Sequence, residues 1–131
     1  MKYFKILCYV IAASQFALGA LYLFVPQGFV AWQGLSEIGQ DINYPLAMLA
    51  GRFFVYGAGM IVIAGDPVGN RFWAYGMAAI QAIDLSAGLF YTVTGVVPLA
   101  DSFLPMFDAA LFMVALLVLL RQPDVAQAKQ V

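Results

Sequence analysis

Three ionisable side chains lie inside long apolar runs of the sequence. Arg52 is the only charge in "AMLAGRFFVYGAGM" (47–60), Asp84 lies in "AIQAIDLSAG" (79–88), and Asp108 lies in "LPMFDAALF" (104–112). A charge at the centre of a bilayer costs about 2.5–3.5 kcal/mol on insertion scales. Such residues are kept where they pair with one another or bind a proton or a ligand. These three are therefore the first candidates for chemistry.

The charges of these three side chains do not balance. One guanidinium and two carboxylates leave a net charge of −1, so either one aspartate holds a proton or a cation or polar ligand completes the balance. Two interpretations stay open: an internal clamp that only fixes the helix register, or a site for proton coupling or ligand binding. Asp108 is also shallow enough to face water, which would leave a simple Arg52–Asp84 pair.

The composition places the chain in a membrane. Of its 131 residues, 64% are hydrophobic and 10% are charged, and its mean hydropathy is +0.90. A soluble domain has about 25% charged residues, so the natural solvent of this chain is lipid. The net charge of −1 argues against nucleic acid as a partner. The absence of histidine and the single cysteine, Cys8, argue against a metal site, a disulfide and acid–base catalysis.

Four apolar runs predict an all-α fold, an integral membrane four-helix bundle. They cover residues about 4–25, 45–64, 72–94 and 104–120. Each is long enough to cross about 30 Å of hydrocarbon, and the six prolines lie at or near the run ends. The first run is too long for a signal peptide, which predicts an uncleaved helix. A single transmembrane domain is expected over 1–121, followed by a short cytoplasmic tail over 122–131.

The basic residues predict how the bundle is oriented. At or beyond the ends of the apolar runs they are Lys2, Lys5, Arg71, Arg121 and Lys129. All five fall on one side of the predicted bundle, and the connections on the other side, 26–44 and about 96–103, contain none. By the positive-inside rule both termini are expected in the cytoplasm. The expected location is the bacterial cytoplasmic membrane, as a multi-pass protein.

The longer outer connection, 26–44, mixes Phe29, Trp32 and Leu35 with polar residues. This mixture predicts a short amphipathic helix that lies on the outer membrane surface. Two roles stay open for it. The aromatic side chains anchor the chain at the membrane interface, or the segment forms a lid over an outward-facing cavity.

Depth along the helices predicts that one polar side chain from each helix meets in the outer half of the membrane. At 1.5 Å per residue Arg52 lies about 10 Å deep, Asp84 about 15 Å and Asp108 about 6 Å, and Gln15 of the first helix joins this layer. Spacings of three and four place Gln15, Arg52 and Asp84 on inward-facing helical stripes. With further hydrogen-bonding groups, the predicted cluster comprises Gln15, Arg52, Tyr56, Gln81, Asp84, Tyr91 and Asp108.

Three stretches give the sequence a likeness to a known family. They are "GALYLFVP" (19–26), "AGRFFVYGAGMIVIAGDP" (50–67) and the acidic residue of the third apolar run, Asp84. With these features the chain resembles the small bacterial four-helix membrane proteins grouped around DoxX and BphX. The resemblance implies a four-helix bundle in the cytoplasmic membrane. It also implies that some relatives accompany sulfur or aromatic oxidation enzymes as membrane subunits.

The sequence favours a non-catalytic accessory or assembly subunit of a membrane complex, since no nucleophile–base pair is evident. One alternative is the membrane subunit of a quinone-linked oxidoreductase; no cofactor is expected, although inward-facing aromatics leave room for a quinone. The other alternative is a small proton-coupled transporter or a carrier of lipophilic ligands. The expected partners are the lipid bilayer and either a partner subunit or further copies of the chain.

Overall fold

The computed structural model describes residues 1–35 and 39–122, and within these ranges every regular element is a helix. Four long helices confirm the predicted all-α class, and a short helix follows the first of them. In chain order the elements are α1 (Lys2–Phe24), α2 (Pro26–Trp32), a 3₁₀ turn (Gln40–Ile42), α3 (Asn43–Gly65), α4 (Arg71–Val93) and α5 (Leu99–Leu120). Of the predicted tail, residues 123–131 lie outside the described residues.

The four long helices are each long and apolar enough to cross a membrane. Their outward surfaces carry large hydrophobic side chains, among them Val55, Phe72 and Val93, which are 72–83% exposed. Water is a poor solvent for such a surface and lipid is a good one, and helices satisfy their own backbone hydrogen bonds in lipid. These features indicate a multi-pass membrane protein.

The long helices run alternately up and down, which gives the bundle two distinct ends. The terminal end holds the start of α1, the α3–α4 turn and the end of α5. The α2 end holds α2, the 3₁₀ turn and the α4–α5 connection. At the terminal end Asp66 accepts a hydrogen bond from the Gly69 backbone, and Arg71 donates one to the carbonyl of Leu120 at 3.2 Å. The latter bond ties the start of α4 to the last turn of α5.

The bundle consists of two helical pairs, α1 with α3 and α4 with α5, which make most of the contacts between helices. Gly57 explains part of the first pairing, because a Cβ atom there would lie 3.2 Å from the carbonyl oxygen of Ala12. Gly88 has the same role in the second pairing, where a Cβ atom would collide with Met106. Glycine at these points lets membrane helices approach closely.

The buried core lies at the terminal end of the bundle. It draws on the first half of α1 and α4 and on the second half of α3 and α5. Its members are Phe4, Cys8, Ile11, Ala12, Tyr56, Met60, Ile63, Ala64, Ala74, Ala78, Phe112, Leu116 and Leu120. The buried residues of α4 end at Gln81, so the half of this helix towards the α2 end is not buried. The buried contacts between the two pairs therefore lie mainly at the terminal end.

Helix α5 begins five residues before the predicted boundary at 104. Pro98 has extended backbone angles and forms the N-cap, and Asp101 supplies the acidic residue that a first helical turn favours. Pro105 therefore lies inside the helix instead of at its start. The sequence pattern predicts that this helix starts at 104, because residues 99–103 include the polar side chains of Asp101 and Ser102.

Leu116→Ala tests the position of the core. Leu116 is fully buried, so its truncation leaves a cavity, and we expect the free energy of unfolding to fall by about 1–3 kcal/mol. The lower part of the range for such changes applies, because lipid is as apolar as the protein interior and the transfer contribution is small. Reversible unfolding in mixed detergent micelles measures the change.

Leu111→Ala is the matched control on the same helix. Leu111 is 50% exposed, so we expect a change below about 0.5 kcal/mol. Equal losses for the two variants would contradict a core placed at the terminal end.

Candidate functional site

Arg52 and Asp84 form an ion pair that joins α3 to α4. The Nη2 atom of Arg52 lies 2.8 Å from Oδ1 and 2.9 Å from Oδ2 of Asp84. Each residue lies about 14 Å along its helix from the α2 end, which is near the middle of a span. The structure thus brings together the two residues that the sequence places at matching depth.

The ion pair is not buried, which corrects the expectation of a buried Arg/Asp cluster. The side chains of Arg52 and Asp84 are 42% and 38% exposed. Among the described residues the buried polar side chains are Gln15, Gln81 and Ser102, and none of these is charged. The reason is that α3 and α4 make few contacts and the core closes only below the pair.

A second, buried polar group lies one helical turn closer to the terminal end. The hydroxyl of Tyr56 accepts a hydrogen bond from Nε2 of Gln81 at 3.0 Å and donates one to the carbonyl of Met77 at 3.1 Å. Tyr56 and Gln81 are 3% and 4% exposed. Like the ion pair, this group joins α3 to α4, so the two groups are stacked along the same helix–helix contact.

Gln15, Tyr91 and Asp108 belong to neither group. Gln15 is buried, but its Oε1 atom has no hydrogen-bond partner within the described part of the chain. Tyr91 is half exposed and packs edge-on against Phe90. Asp108 is partly exposed and forms no hydrogen bond or ion pair within residues 1–35 and 39–122. The predicted seven-residue cluster is therefore two pairs and three separate side chains.

The order of the helices explains why Asp108 does not meet Arg52. Contacts run from α1 to α3, from α3 to α4, from α4 to α5 and from α5 back to α1. Helices α3 and α5 thus stand on a diagonal of the bundle, with α4 next to both. Asp84 on α4 forms the ion pair with Arg52, whereas Asp108 on α5 forms none within the described residues.

Helix α2 and the residues that follow it have features that fit each of the two roles left open for the connection 26–44, and both roles stay predictions. Its start is fixed by Pro26, and Phe29 and Val30 are buried against the bundle. Trp32 is 71% exposed, which suits an interfacial anchor. The following residues, Gln33 and Leu35, line a cleft, which suits a lid.

The cleft has a volume of about 190 Å³ and lies between the Gln33–Leu35 segment and the α2 end of α4 and α5. Its polar lining comes from Gln33, Asp84, Asp101 and Ser102. Its apolar lining comes from Leu35, Val97, Pro105 and Met106. Ser102 is already bonded to Thr92, at 2.7 Å. Of the predicted polar cluster, Asp84 lines this cleft, and of the hydrophobic residues named in the connection 26–44, Leu35 does.

Sequence reasoning missed Gln33, Asp101 and Ser102 as cleft residues. Asp101 comes three residues after Pro98, which is a signal for the start of a helix but not for a cavity. The cleft exists because the segment after α2 folds back onto α4 and α5. That contact joins residues far apart in sequence, and no local pattern carries it.

Comparison of the chain with models of known protein families, with curated proteins and with solved structures gives no match. The resemblance to DoxX-like and BphX-like proteins therefore stays a prediction. The expectations about a quinone, partner subunits and oligomers also stay predictions. What the chain does has to be inferred from its own side chains and surfaces.

A double-mutant cycle tests the ion pair. We expect Arg52→Met and Asp84→Asn each to destabilise the chain and the double variant to recover part of the loss. The expected coupling energy is about 1 kcal/mol or more, because the pair is hydrogen-bonded and only partly exposed. Unfolding of the purified chain in detergent measures it.

Arg52→Met combined with Asp108→Asn is the control cycle. Asp108 makes no ion pair in the described residues, so we expect a coupling energy within about 0.5 kcal/mol of zero. A larger coupling to Asp108 than to Asp84 would show that the helix order is different.

Tyr56→Phe tests the buried group. Removing the hydroxyl leaves Nε2 of Gln81 and the carbonyl of Met77 without their partner, so we expect a loss of about 1 kcal/mol in the free energy of unfolding. Tyr44→Phe is the control, because Tyr44 is 74% exposed and should tolerate the change. No difference between the two variants would contradict the hydrogen bonds of Tyr56.

Proposed function

We propose that the chain is a non-catalytic accessory or assembly subunit of a membrane complex, and that a helix of a partner protein covers the Arg52–Asp84 pair. In this proposal both termini lie in the cytoplasm and the α2 end lies outside, as the distribution of lysine and arginine favours. The membrane is the bacterial cytoplasmic membrane, in keeping with the resemblance to DoxX-like proteins.

The observation that carries the proposal is the exposure of an ion pair near the middle of a membrane span. Hydrocarbon solvates a charged pair poorly, even when the two charges are bonded to each other. Movement of the Arg52 side chain towards the interface would break its bonds to Asp84. Arg52 is 42% exposed and is not one of the residues that line the cleft, so its exposed part lies outside the cleft. A partner helix with polar groups at this depth would complete its hydrogen bonds.

Helix α4 supports the same proposal because it is poorly matched to lipid. Of its most apolar 18 residues only 11% are buried, against 22–28% in the other three long helices. Helix α4 also carries the polar residues Asp84, Ser86 and Thr92, and it packs mainly against α5. A helix with this many polar groups and this little burial is better solvated by a protein surface than by hydrocarbon.

Gly51 makes close approach to the ion pair straightforward. It adjoins Arg52 on α3, and a Cβ atom at this position would meet nothing within 4 Å in the described residues beyond its own stretch of helix. The backbone of α3 is therefore open to an incoming helix at the depth of the charged pair. Small residues at such points are typical of helix–helix contacts in membranes.

Gly51→Leu tests the proposal in cells that express the tagged chain at native levels. The leucine occupies open space, so we expect the fold to be unchanged or slightly stabilised. A partner helix, however, would be displaced, and we expect recovery of the partner in mild-detergent extracts to fall about fivefold or more. Quantitative mass spectrometry of the purified material measures this.

Gly76→Leu is the matched control, because Gly76 lies on α4 nearer the terminal end and is equally open. Full recovery of the partner with this variant supports the assigned surface. A monodisperse chain with no constant partner would refute the accessory-subunit proposal. Recovery of only a second copy of the chain, lost in Gly51→Leu, would replace that proposal with a homo-oligomer.

A further inference from the structure

We infer that the cleft at the α2 end is a binding site for the ammonium group of a small organic amine, with Asp101 as its principal acceptor. The cleft shares Asp84 with the α3–α4 surface proposed for a partner helix, but its proposed acceptor, Asp101, lies on α5. The tests of the two proposals change different residues, Gly51 for the partner helix and Asp101 for the cleft, so either proposal can fail without the other.

The charge of the cleft favours a cation. Asp84 is already neutralised, because one nitrogen of Arg52 bonds to both of its carboxylate oxygens. The carboxylate of Asp101 forms no hydrogen bond or ion pair with any residue in 1–35 or 39–122. The helix N-terminus offsets part of its charge. One carboxylate nevertheless remains without a cationic partner inside a partly enclosed cleft.

A second acceptor in the cleft is the backbone carbonyl of Asp101, which Pro105 leaves without its helical hydrogen bond. Proline has no backbone N–H, so Pro105 cannot donate the helical hydrogen bond to the carbonyl of Asp101, four residues earlier. Both residues line the cleft. An ammonium group carries three donors, which is enough for a bond to the carboxylate and a bond to this carbonyl.

The apolar walls select an organic cation over a metal ion. Leu35, Val97 and Met106 offer hydrocarbon contacts for a short alkyl chain. A divalent metal ion would need several oxygen ligands, and the other carboxylate of the cleft, Asp84, is held by Arg52. The volume of about 190 Å³ limits the ligand to a small molecule or to the end of a longer one.

Gly34 positions the lid over this acceptor. Its φ of +77° belongs to the left-handed region, which glycine adopts without strain. A Cβ atom at Gly34 would lie 2.7 Å from the Cγ atom of Asp101, so only glycine lets the segment close on the carboxylate. The neighbouring Gln33 accepts a hydrogen bond from the hydroxyl of Tyr22, which ties the lid to α1.

The first test uses the full chain in a neutral maltoside detergent. Three probes with the same chain length and different head groups are titrated: n-butylammonium, butan-1-ol and butyrate. Trp32 lies next to Gln33, so its fluorescence in a Trp73→Phe background reports binding near the lid. We expect saturable binding of butylammonium at least about tenfold tighter than that of butanol, and no binding of butyrate. Equal affinities for the amine and the alcohol, or no saturable binding, would overturn the site.

The second test assigns the acceptor. We expect Asp101→Asn to weaken butylammonium binding about tenfold or more, because it removes one charge-assisted hydrogen bond. Asp101→Glu should restore most of the affinity. Asp41→Asn removes the same charge at the same end of the molecule but outside the cleft, and should leave the affinity unchanged. Equal effects of the changes at 101 and 41 would overturn the assignment. The three-probe titration needs no variant at 101, so it decides the matter even if Asp101→Asn does not fold.

Discussion

The bonds from Arg52 to Asp84 join two helical pairs that otherwise meet mainly at the terminal end. In lipid, apolar contacts between helices gain little over contacts with the solvent, so hydrogen bonds and close packing determine how helices associate. The Tyr56–Gln81 bond lies one turn below and acts between the same two helices. Together these contacts fix the register of α3 against α4. The helix order α1, α3, α4, α5 follows from this contact and from the two short connections at the terminal and α2 ends.

The cleft depends on the same division of the bundle. Its lid belongs to the first pair, because α2 is held by the ring of Tyr22 and by the Gln27–Asn43 hydrogen bond. Its floor belongs to the second pair, through Asp101 and Pro105. Asp84 contributes to both features, since it lines the cleft and bonds to Arg52. Arg52 of α3 therefore affects the net charge of the cleft, although no α3 residue is among those that line it.

The amino-acid sequence predicts the helices and the Arg52–Asp84 contact because both follow from one-dimensional quantities. Helix length follows from the apolar runs, and matching depth follows from counting residues from a boundary. Which helices stand next to each other in the bundle cannot be obtained by counting residues along the chain. Asp108 has a suitable depth, but α5 stands diagonal to α3. The role of Asp101 also escapes prediction, since the segment after α2 reaches it across a long stretch of chain. The start of α5 also differs from the prediction, because the polar residues Asp101 and Ser102 precede the apolar run.

Packing concentrated at one end has a mechanical consequence. If the two pairs tilt about their packed terminal ends, the distance from there to the far end is about 33 Å, the length of the 22 residues of α5. A tilt of about 5° at the packed end moves the far end of a pair by about 3 Å, which is close to one hydrogen-bond length. Small rotations at the packed end are thus amplified where the lid faces the floor of the cleft. A tilt between the two pairs would change the width of the cleft, and the Arg52–Asp84 bonds, about halfway along α3 and α4, would oppose it.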